Sequence, residues 1–149
     1  MAATVYNVAK KKWLDGTLDM DTDTIKVLLI TGTVSINPDH ATVAAVLAAM
    51  AEANGTGYTS GVGSSSRKTV TMTVAQDDAN DRATATSSTT SWTGVSLAAT
   101  IKGYLYYKHA SGSDDTLNFP IGFVDDATGL PLTTNGSDVN LAASVFRLA

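Results

Sequence analysis

The chain has 149 residues, the length of one ordinary domain, and contains no cysteine, which excludes disulfides and thiolate metal sites. Its formal net charge of -4 argues against a dedicated nucleic-acid-binding protein, because a phosphate backbone requires a basic surface. No apolar run reaches the roughly 18 residues that span a bilayer, and the N-terminal residues do not read as a secretory signal. We therefore expect a globular protein that binds neither nucleic acid nor membrane.

The first predicted element is a short helix over residues 5–15, with Val5, Val8 and Trp13 at helical spacing and Gly16 available to end it. The same segment, within residues 1–15, also has the composition of a docking arm, because apolar side chains stand beside three lysines. Both interpretations stay open. The candidate contact residues of the arm are Val5, Tyr6, Val8, Lys10, Lys11 and Lys12.

Four aspartates precede the first long apolar run, in "LDGTLDMDTDTIKVLLITG". Alternating carboxylates begin a calcium-binding loop of the EF-hand type, but that loop requires glycine at its sixth position and glutamate at its twelfth. Counted from Asp19, these positions hold Thr24 and Ile30. The pattern therefore predicts no metal site, and an acidic turn that leads into a strand.

The apolar run itself predicts a buried strand over residues 23–31, because four consecutive apolar residues are too continuous for a half-exposed strand. A second helix is predicted over residues 37–55. Asn37 can cap it, Pro38 suits its first position, and Asn54 with Gly55 can end it.

After Gly55 the apolar residues recur with period two, which predicts strands within residues 67–76, 81–87, 91–109, 116–125 and 138–149. Pro120 indicates an edge position or a bulge. The predicted fold is mainly β with two short helices (α+β), in one domain over residues 1–149. We expect an antiparallel β-sandwich or flattened barrel with an N-terminal helix and one inserted helix. The expected core includes Trp13, Leu29, Leu47 and Trp92.

Motifs of enzymes are incomplete in this sequence. "GVGSSSRKT" lacks the glycine that a phosphate-binding loop places directly before lysine, since Arg67 stands there, and the segment leads into a strand. His40 and His109 are isolated, and no G-x-S-x-G elbow supplies a nucleophilic serine. We therefore predict a protein without catalytic residues, cofactor or metal.

The segment "GYLYYK" places Tyr104 and Tyr106 on one face of a strand, with Leu105 and Tyr107 on the other. Tyrosine combines an apolar ring with a polar tip, which suits a subunit contact, so Tyr104 and Tyr106 are further candidate contact residues. The alternative is a sugar-binding platform formed with Trp92.

The order of segments resembles a family of small virion structural proteins of tailed bacteriophages. The resemblance lies in "ATVYNVAKKKWLDGTLDMDTDTIKVLLIT", "PDHATVAAV", "GTGYTSGVG", "DDANDRATA", "GYLYYK" and the closing "VFRL". It covers nearly the whole chain and is looser after Lys108. None of these phrases contains a catalytic motif.

This resemblance implies a non-enzymatic role, as a capsid decoration or cement protein that binds the outside of the head and stabilises it. A neck, tail or fibre component is the first alternative, and a glycan-binding host-adhesion module is the second. The implied partners are the major capsid protein or other virion proteins and further copies of the chain. The implied location is the phage particle, after synthesis in the cytoplasm of the bacterial host.

Overall fold

The computed structural model of the protein describes residues 4–110, 112 and 114–148. Within them the chain forms two α-helices, α1 (Asn7–Leu14) and α2 (Val43–Ala49), and a 3-10 turn over Asp78–Asn80. The strands are β1 (Thr4–Val5), β2 (Ile25–Thr31), β3 (Ala51–Glu52), β4 (Lys68–Val70), β5 (Met72–Asp77), β6 (Arg82–Ser87), β7 (Thr90–Trp92), β8 (Ile101–Lys108), β9 (Phe119–Val124), β10 (Val139–Leu141) and β11 (Val145–Leu148).

These strands form three antiparallel sheets. The main sheet has the order β1-β9-β8-β2-β3, and β4 also pairs with β2. The second sheet has the order β11-β6-β5, and the third consists of β10 and β7. The predicted class, mainly β with two short helices, is confirmed, and none of the three sheets closes into a barrel among the described residues.

The central strand β2 is buried on both faces, as its continuous apolar run predicts. Val27 and Leu29 face one core, which also holds most of the side chains from the smaller sheets. Leu28 and Ile30 face a second core, which α2 covers. Period two therefore still operates inside the run, but it divides the residues between two cores.

Two glycines in the main sheet make room for aromatic rings. A Cβ atom on Gly103 of β8 would collide with the ring of Phe123, and one on Gly122 of β9 would collide with the ring of Phe146. Phe146 in turn packs edge to face against Tyr106, with ring centroids 5.0 Å apart. Because Gly122 has no side chain, Phe146 can pack directly on β9, and β11 therefore lies close to the main sheet.

The bounds of the second helix differ from the prediction. The side chain of Thr42, rather than Asn37, accepts a hydrogen bond from the N–H of Ala45 and caps α2. Asn37 and Pro38 belong to a turn, in which the Asn37 side chain accepts from the N–H of Asp39. The helix ends at Ala49 because the next residues pair with β2 as strand β3.

Three of the predicted strand segments are each split into two. Residues 67–76 give β4 and β5, residues 91–109 give the end of β7 and β8, and residues 138–149 give β10 and β11. In each case the two strands belong to different sheets, so the chain turns between layers. Pro120 lies beside a bulge, where the register of β8 and β9 shifts between Tyr106 and Tyr107.

The predicted core is confirmed in part. Leu29 and Trp92 are buried, whereas Trp13 and Leu47 are half-buried and pack against the rims of the two cores. Trp13 lies near the end of α1 and Leu47 near the end of α2.

Candidate functional site

The most strongly buried charged group that the structure describes is the guanidinium of Arg67, which is 2% exposed. It makes two parallel hydrogen bonds to Glu52, Nε to Oε1 at 2.8 Å and Nη2 to Oε2 at 2.7 Å. A second pair reaches Asp115, Nη1 to Oδ1 at 2.7 Å and Nη2 to Oδ2 at 2.8 Å. Bidentate pairs of this kind are the geometry that arginine favours with carboxylates.

Further donors surround Glu52. Tyr58 donates its hydroxyl to Oε1 at 3.1 Å, and the N–H of Gly61 donates to Oε2 at 3.1 Å. The Tyr58 oxygen also accepts a hydrogen bond from the N–H of Leu29 in β2, at 3.2 Å. The carboxylate is therefore surrounded by fixed donors and joins the loop after β3 to the central strand.

These contacts define the electrostatics of what we call the Arg67 cluster, Arg67 with Glu52, Tyr58 and Asp115. Burial alone would lower the pKa of Arg67, but its hydrogen bonds to Glu52 and Asp115 raise that pKa above the ordinary value. Burial and the charge of Glu52 raise the pKa of Tyr58. The arginine is thus locked in its charged form and the tyrosine in its neutral form.

Such a cluster has little capacity for chemistry. Four of the five N–H groups of arginine are committed to carboxylates here, and both carboxylates lie in ion pairs. A general acid or base needs a proton that can leave or a lone pair that substrate can reach. The arrangement instead ties together three distant parts of the chain, around residues 52, 67 and 115.

The acidic turn before β2 has a cation of its own. The ammonium of Lys108, at the end of β8, lies 2.6 Å from a carboxylate oxygen of Asp23 and 2.9 Å from the carbonyl oxygen of Thr17. Asp23 also accepts a hydrogen bond from the N–H of Asp19 at 2.9 Å. The described residues contain no group of three or more His, Asp or Glu side chains placed to hold a metal ion.

Two further aspartates of this turn, Asp19 and Asp21, interact with each other through their side chains. Hydrogen bonding with Asp21 lowers the pKa of Asp19, and the same interaction raises the pKa of Asp21. Both side chains line a surface hollow of about 300 Å³, together with Trp13, Gly16, Leu18, Met20 and Val74. The hollow combines an apolar floor with an acidic rim.

The N-terminal segment packs against the main sheet, which favours the packed helix over the docking arm. β1 pairs with β9, and the N–H of Tyr6 donates to the carbonyl oxygen of Ile121 at 3.0 Å. Tyr6 is fully buried, and Val5 and Val8 are half-buried against the cores. The prediction that Val5, Tyr6 and Val8 form an exposed contact is therefore corrected, because their apolar side chains pack against the main sheet. Residues 1–3 lie outside the described residues.

The lysines of this segment divide into two groups. Lys10 and Lys11 are exposed, and Lys11 makes an ion pair with Asp15 at 3.4 Å within one helical turn. Lys12 is half-buried, and its ammonium lies 4.9 Å from the centre of the Phe119 ring. Lys10 and Lys11 are therefore the lysines of α1 that remain open to a partner.

The expectation that Tyr104 and Tyr106 form an exposed contact is wrong, because both are buried. The hydroxyl of Tyr106 donates to Ser144 at 2.9 Å inside the core. The sugar platform is wrong for the same reason: Trp92 and Tyr104 do stack, with ring centroids 6.5 Å apart, but Trp92 is 1% exposed. Period two assigns Tyr104 and Tyr106 to one face of the strand, but it does not tell whether another layer covers that face, which is why the sequence misleads here.

The two histidines are placed apart from any nucleophile in the described contacts. His109 packs its ring against Tyr107, and burial together with the charge of Lys26 lowers its pKa. His40 lies before α2, in the turn that Asn37 begins, where the N–H of His40 donates to the carbonyl oxygen of Asn37. The ring of His109 thus packs at the end of β8, and the backbone of His40 belongs to the turn before α2.

The sequence does not single out the Arg67 cluster. Arg67 stands out in the sequence only as the residue that spoils a phosphate loop, and its partners are 15 and 48 positions away. The available signal is a single arginine in a run of small residues, "GVGSSSRKT". This loop has too few apolar side chains to be held in place by packing. Such a loop needs polar anchors.

No helix among the described residues is long and apolar enough to cross a membrane. Comparison of the chain with protein-family models, with curated proteins and with solved structures finds no match in any of the three.

Proposed function

We propose that this protein is a non-enzymatic structural component of the virion of a tailed bacteriophage, a decoration or cement protein on the outside of the head. The observation that carries the proposal is where the phrases that resemble this family fall in the fold. Three of the most characteristic stretches, residues 15–19, 21–27 and 57–59, occupy the turn after α1, the entry to β2 and the turn that contains Tyr58. These are positions at which side chains hold loops to the main sheet.

The contacts at these positions give each phrase a physical role. Asp23, in "DTDTIKV", pairs with Lys108, and Tyr58, in "GTGYTSG", donates to Glu52. A structural family would keep such residues because they form the fold, and the function needs no reacting group from them. The contacts of Asp23 and Tyr58 therefore support the resemblance to a structural family.

The surface offers apolar side chains for weak binding. The large apolar side chains exposed among the described residues are Leu14, Val74 and Leu117. A small domain bound at many equivalent places gains stability from simultaneous contacts, even when each one is weak. Decoration of a shell therefore needs no deep pocket.

The copy number of the protein in purified particles tests this proposal. We expect quantitative mass spectrometry of particles of the phage that encodes this chain to give a number similar to that of the major capsid protein. A handful of copies per particle would instead support the neck, tail or fibre alternative. Absence from the particles would contradict the proposal altogether.

A binding experiment tests the stabilising role separately. Particles that lack the protein should bind the purified chain and should then withstand heat or low salt better than unsupplemented particles. A denatured and an unrelated β-rich protein serve as controls for adsorption. Binding to host cells in the absence of particles would support the adhesion alternative.

A further inference from the structure

The hollow beside α1 and its neighbouring side chains form a surface that is complementary to itself. Leu18 and Met20, both buried, form its floor, while Val74 of β5 is 47% exposed at its wall. Leu14 is 86% exposed and lies between Trp13 and Gly16, which both line the hollow. A projecting apolar side chain and an apolar hollow thus lie side by side.

Opposite charges flank these apolar groups. Lys10 and Lys11 are exposed on α1, while Asp19 and Asp21 form the rim of the hollow. The pair between Lys11 and Asp15 leaves the Lys11 side chain 80% exposed, so solvent screens that contact and it does not hold the lysine in place. The surface therefore carries both signs of charge within one patch.

The strand at the wall of the hollow is also open. β5 pairs with β6 on one side, and no other strand of the described part of the chain pairs with its second side. Residues 72–76 contain no lysine or proline, the residues that commonly protect an exposed edge strand. An open edge that carries no charge over residues 72–76, next to an apolar hollow, is a surface that gains from being covered.

We propose that this patch, Lys10, Lys11, Leu14, Asp19, Asp21 and Val74, joins two copies of the chain around a two-fold axis. In such a contact the same surface serves on both copies, so each element must find its complement within one patch. Leu14 of one copy enters the hollow of the second, while Lys10 and Lys11 face the Asp19 and Asp21 rim. The same two contacts repeat in the opposite direction.

The first experiment measures the oligomeric state of the full chain by sedimentation equilibrium. Wild type should form dimers, and Leu14→Asp should weaken the dimer at least about tenfold by placing a carboxylate in an acidic hollow. Leu117→Asp is the matched control, because Leu117 is 60% exposed but does not line the hollow. It should leave the dimer unchanged.

Three outcomes would overturn the proposal. Wild type could remain monomeric at about 0.1 mM, Leu14→Asp could leave the dimer intact, or both substitutions could weaken it equally. Circular dichroism of each variant checks that the fold is retained. The measurement needs no phage particle, so its failure is distinguishable from failure of the virion proposal.

A charge exchange provides a second test that does not depend on Leu14. Lys11→Asp and Asp21→Lys should each weaken self-association, because each creates two like-charge contacts across the axis. An equal mixture of the two variants should recover dimers, since both cross-axis contacts are then between opposite charges. Failure of the mixture to recover, with both variants folded, would show that these groups do not face each other.

Discussion

Arg67 shows how one side chain can hold together segments that the sequence keeps far apart. Its guanidinium is bound on two sides by the carboxylates of Glu52 and Asp115, which belong to β3 and to the loop before β9. The Cζ atom of the guanidinium lies 5.6 Å from the centre of the Tyr107 ring in β8. A buried charge of this kind is costly to desolvate, and the cost is offset only while all its partners are in place.

Arg67→Lys should therefore destabilise the protein. A lysine ammonium cannot make two bidentate pairs at once, so the buried carboxylates lose fixed donors. We expect the free energy of unfolding to fall by about 3–5 kcal/mol, measured by urea denaturation. Arg82→Lys is the control, because its pair with Asp77 is partly exposed, and it should change stability by less than about 1 kcal/mol. Equal effects would contradict the special role of Arg67.

Gly122→Ala tests the close approach of β11 to the main sheet. The added methyl group would overlap the ring of Phe146, which packs against Tyr106. We expect a loss of about 1–3 kcal/mol, the usual cost of overpacking a core. Gly63→Ala is the matched control, because nothing lies within 4 Å of a Cβ built there. A neutral Gly122→Ala would mean that the ring moves away freely.

At the scale of elements, a helix or strand could be predicted where neighbouring residues determine it, and could not where distant residues do. β2 could be identified because its apolar run is local, and Leu29 in it is buried as expected. The start of α2 could not be predicted, because Asn37, which precedes Pro38, and Thr42 are both good N-cap residues. The N–H groups of Val43 and Ala44 donate hydrogen bonds to the loop before β9, and these bonds favour the later start. Those partners are more than 70 positions away.

The candidate contact residues follow the same rule. The alternation in "GYLYYK" is correct, but whether the Tyr104 face is wet depends on the smaller sheets that cover it, and local pattern carries no information on them. The Arg67 cluster depends on three separate segments, and its one local signal, an arginine in a run of small residues, does not identify the partners. The exposure of Leu14 is likewise a property of how α1 is placed on β9.

The N-terminal segment should be required for folding, which the deletion of residues 2–8 tests. This deletion removes β1 and Tyr6, whose ring is fully buried in the core under α2. We expect a chain without a cooperative thermal transition, measured by circular dichroism. Deletion of residues 2 and 3 alone is the control. A folded 2–8 deletion that no longer binds particles would restore the docking arm.

Tyr6→Phe should act in the opposite direction. The Tyr6 hydroxyl is buried, meets no hydrogen-bonding partner within the described residues, and has its pKa raised to about 12 by burial. Removing an unsatisfied buried hydroxyl should stabilise the protein by about 1 kcal/mol, whereas Tyr6→Ala should cost about 3–5 kcal/mol. Chemical denaturation of both variants measures the difference. A destabilised Tyr6→Phe would reveal a partner for the hydroxyl.

The acidic turn before β2 should be indifferent to calcium. Lys108 already neutralises Asp23 and occupies the carbonyl oxygen of Thr17, so a cation would have to displace it. Thermal melts in calcium and in chelator should give the same midpoint. A calcium-dependent rise of several degrees would contradict this interpretation and restore the metal site.

At the scale of the whole molecule, the five tyrosines act as one group, because all of them are buried. Burial raises the pKa of each one, and the charge of Glu52 adds to the effect at Tyr58. No tyrosine can lose its proton without placing a charge in one of the two cores. Their ionisation is therefore coupled to unfolding.

We accordingly expect a cooperative loss of structure at alkaline pH. The folded-state pKa values lie above the unfolded value of about 10, so their contribution is complete below that pH and is lost as pH rises through the folded values. Tyrosinate absorbance and circular dichroism should change together, while the same titration in denaturant should centre near pH 10. Gradual ionisation near pH 10 in a folded chain would contradict this prediction.

The pairing of β1 with β9 has a consequence for the order of events during synthesis. Thr4 lies opposite Phe123, so the first strand has no partner until most of the chain has left the ribosome. At a synthesis rate of roughly 5–20 residues per second, the interval between these two residues is on the order of 6 to 25 s. Throughout it, Tyr6 lacks its partner strand β9, and for most of it β2 also lacks its partner strand β8. A nascent chain that ends before β9 therefore cannot complete the main sheet.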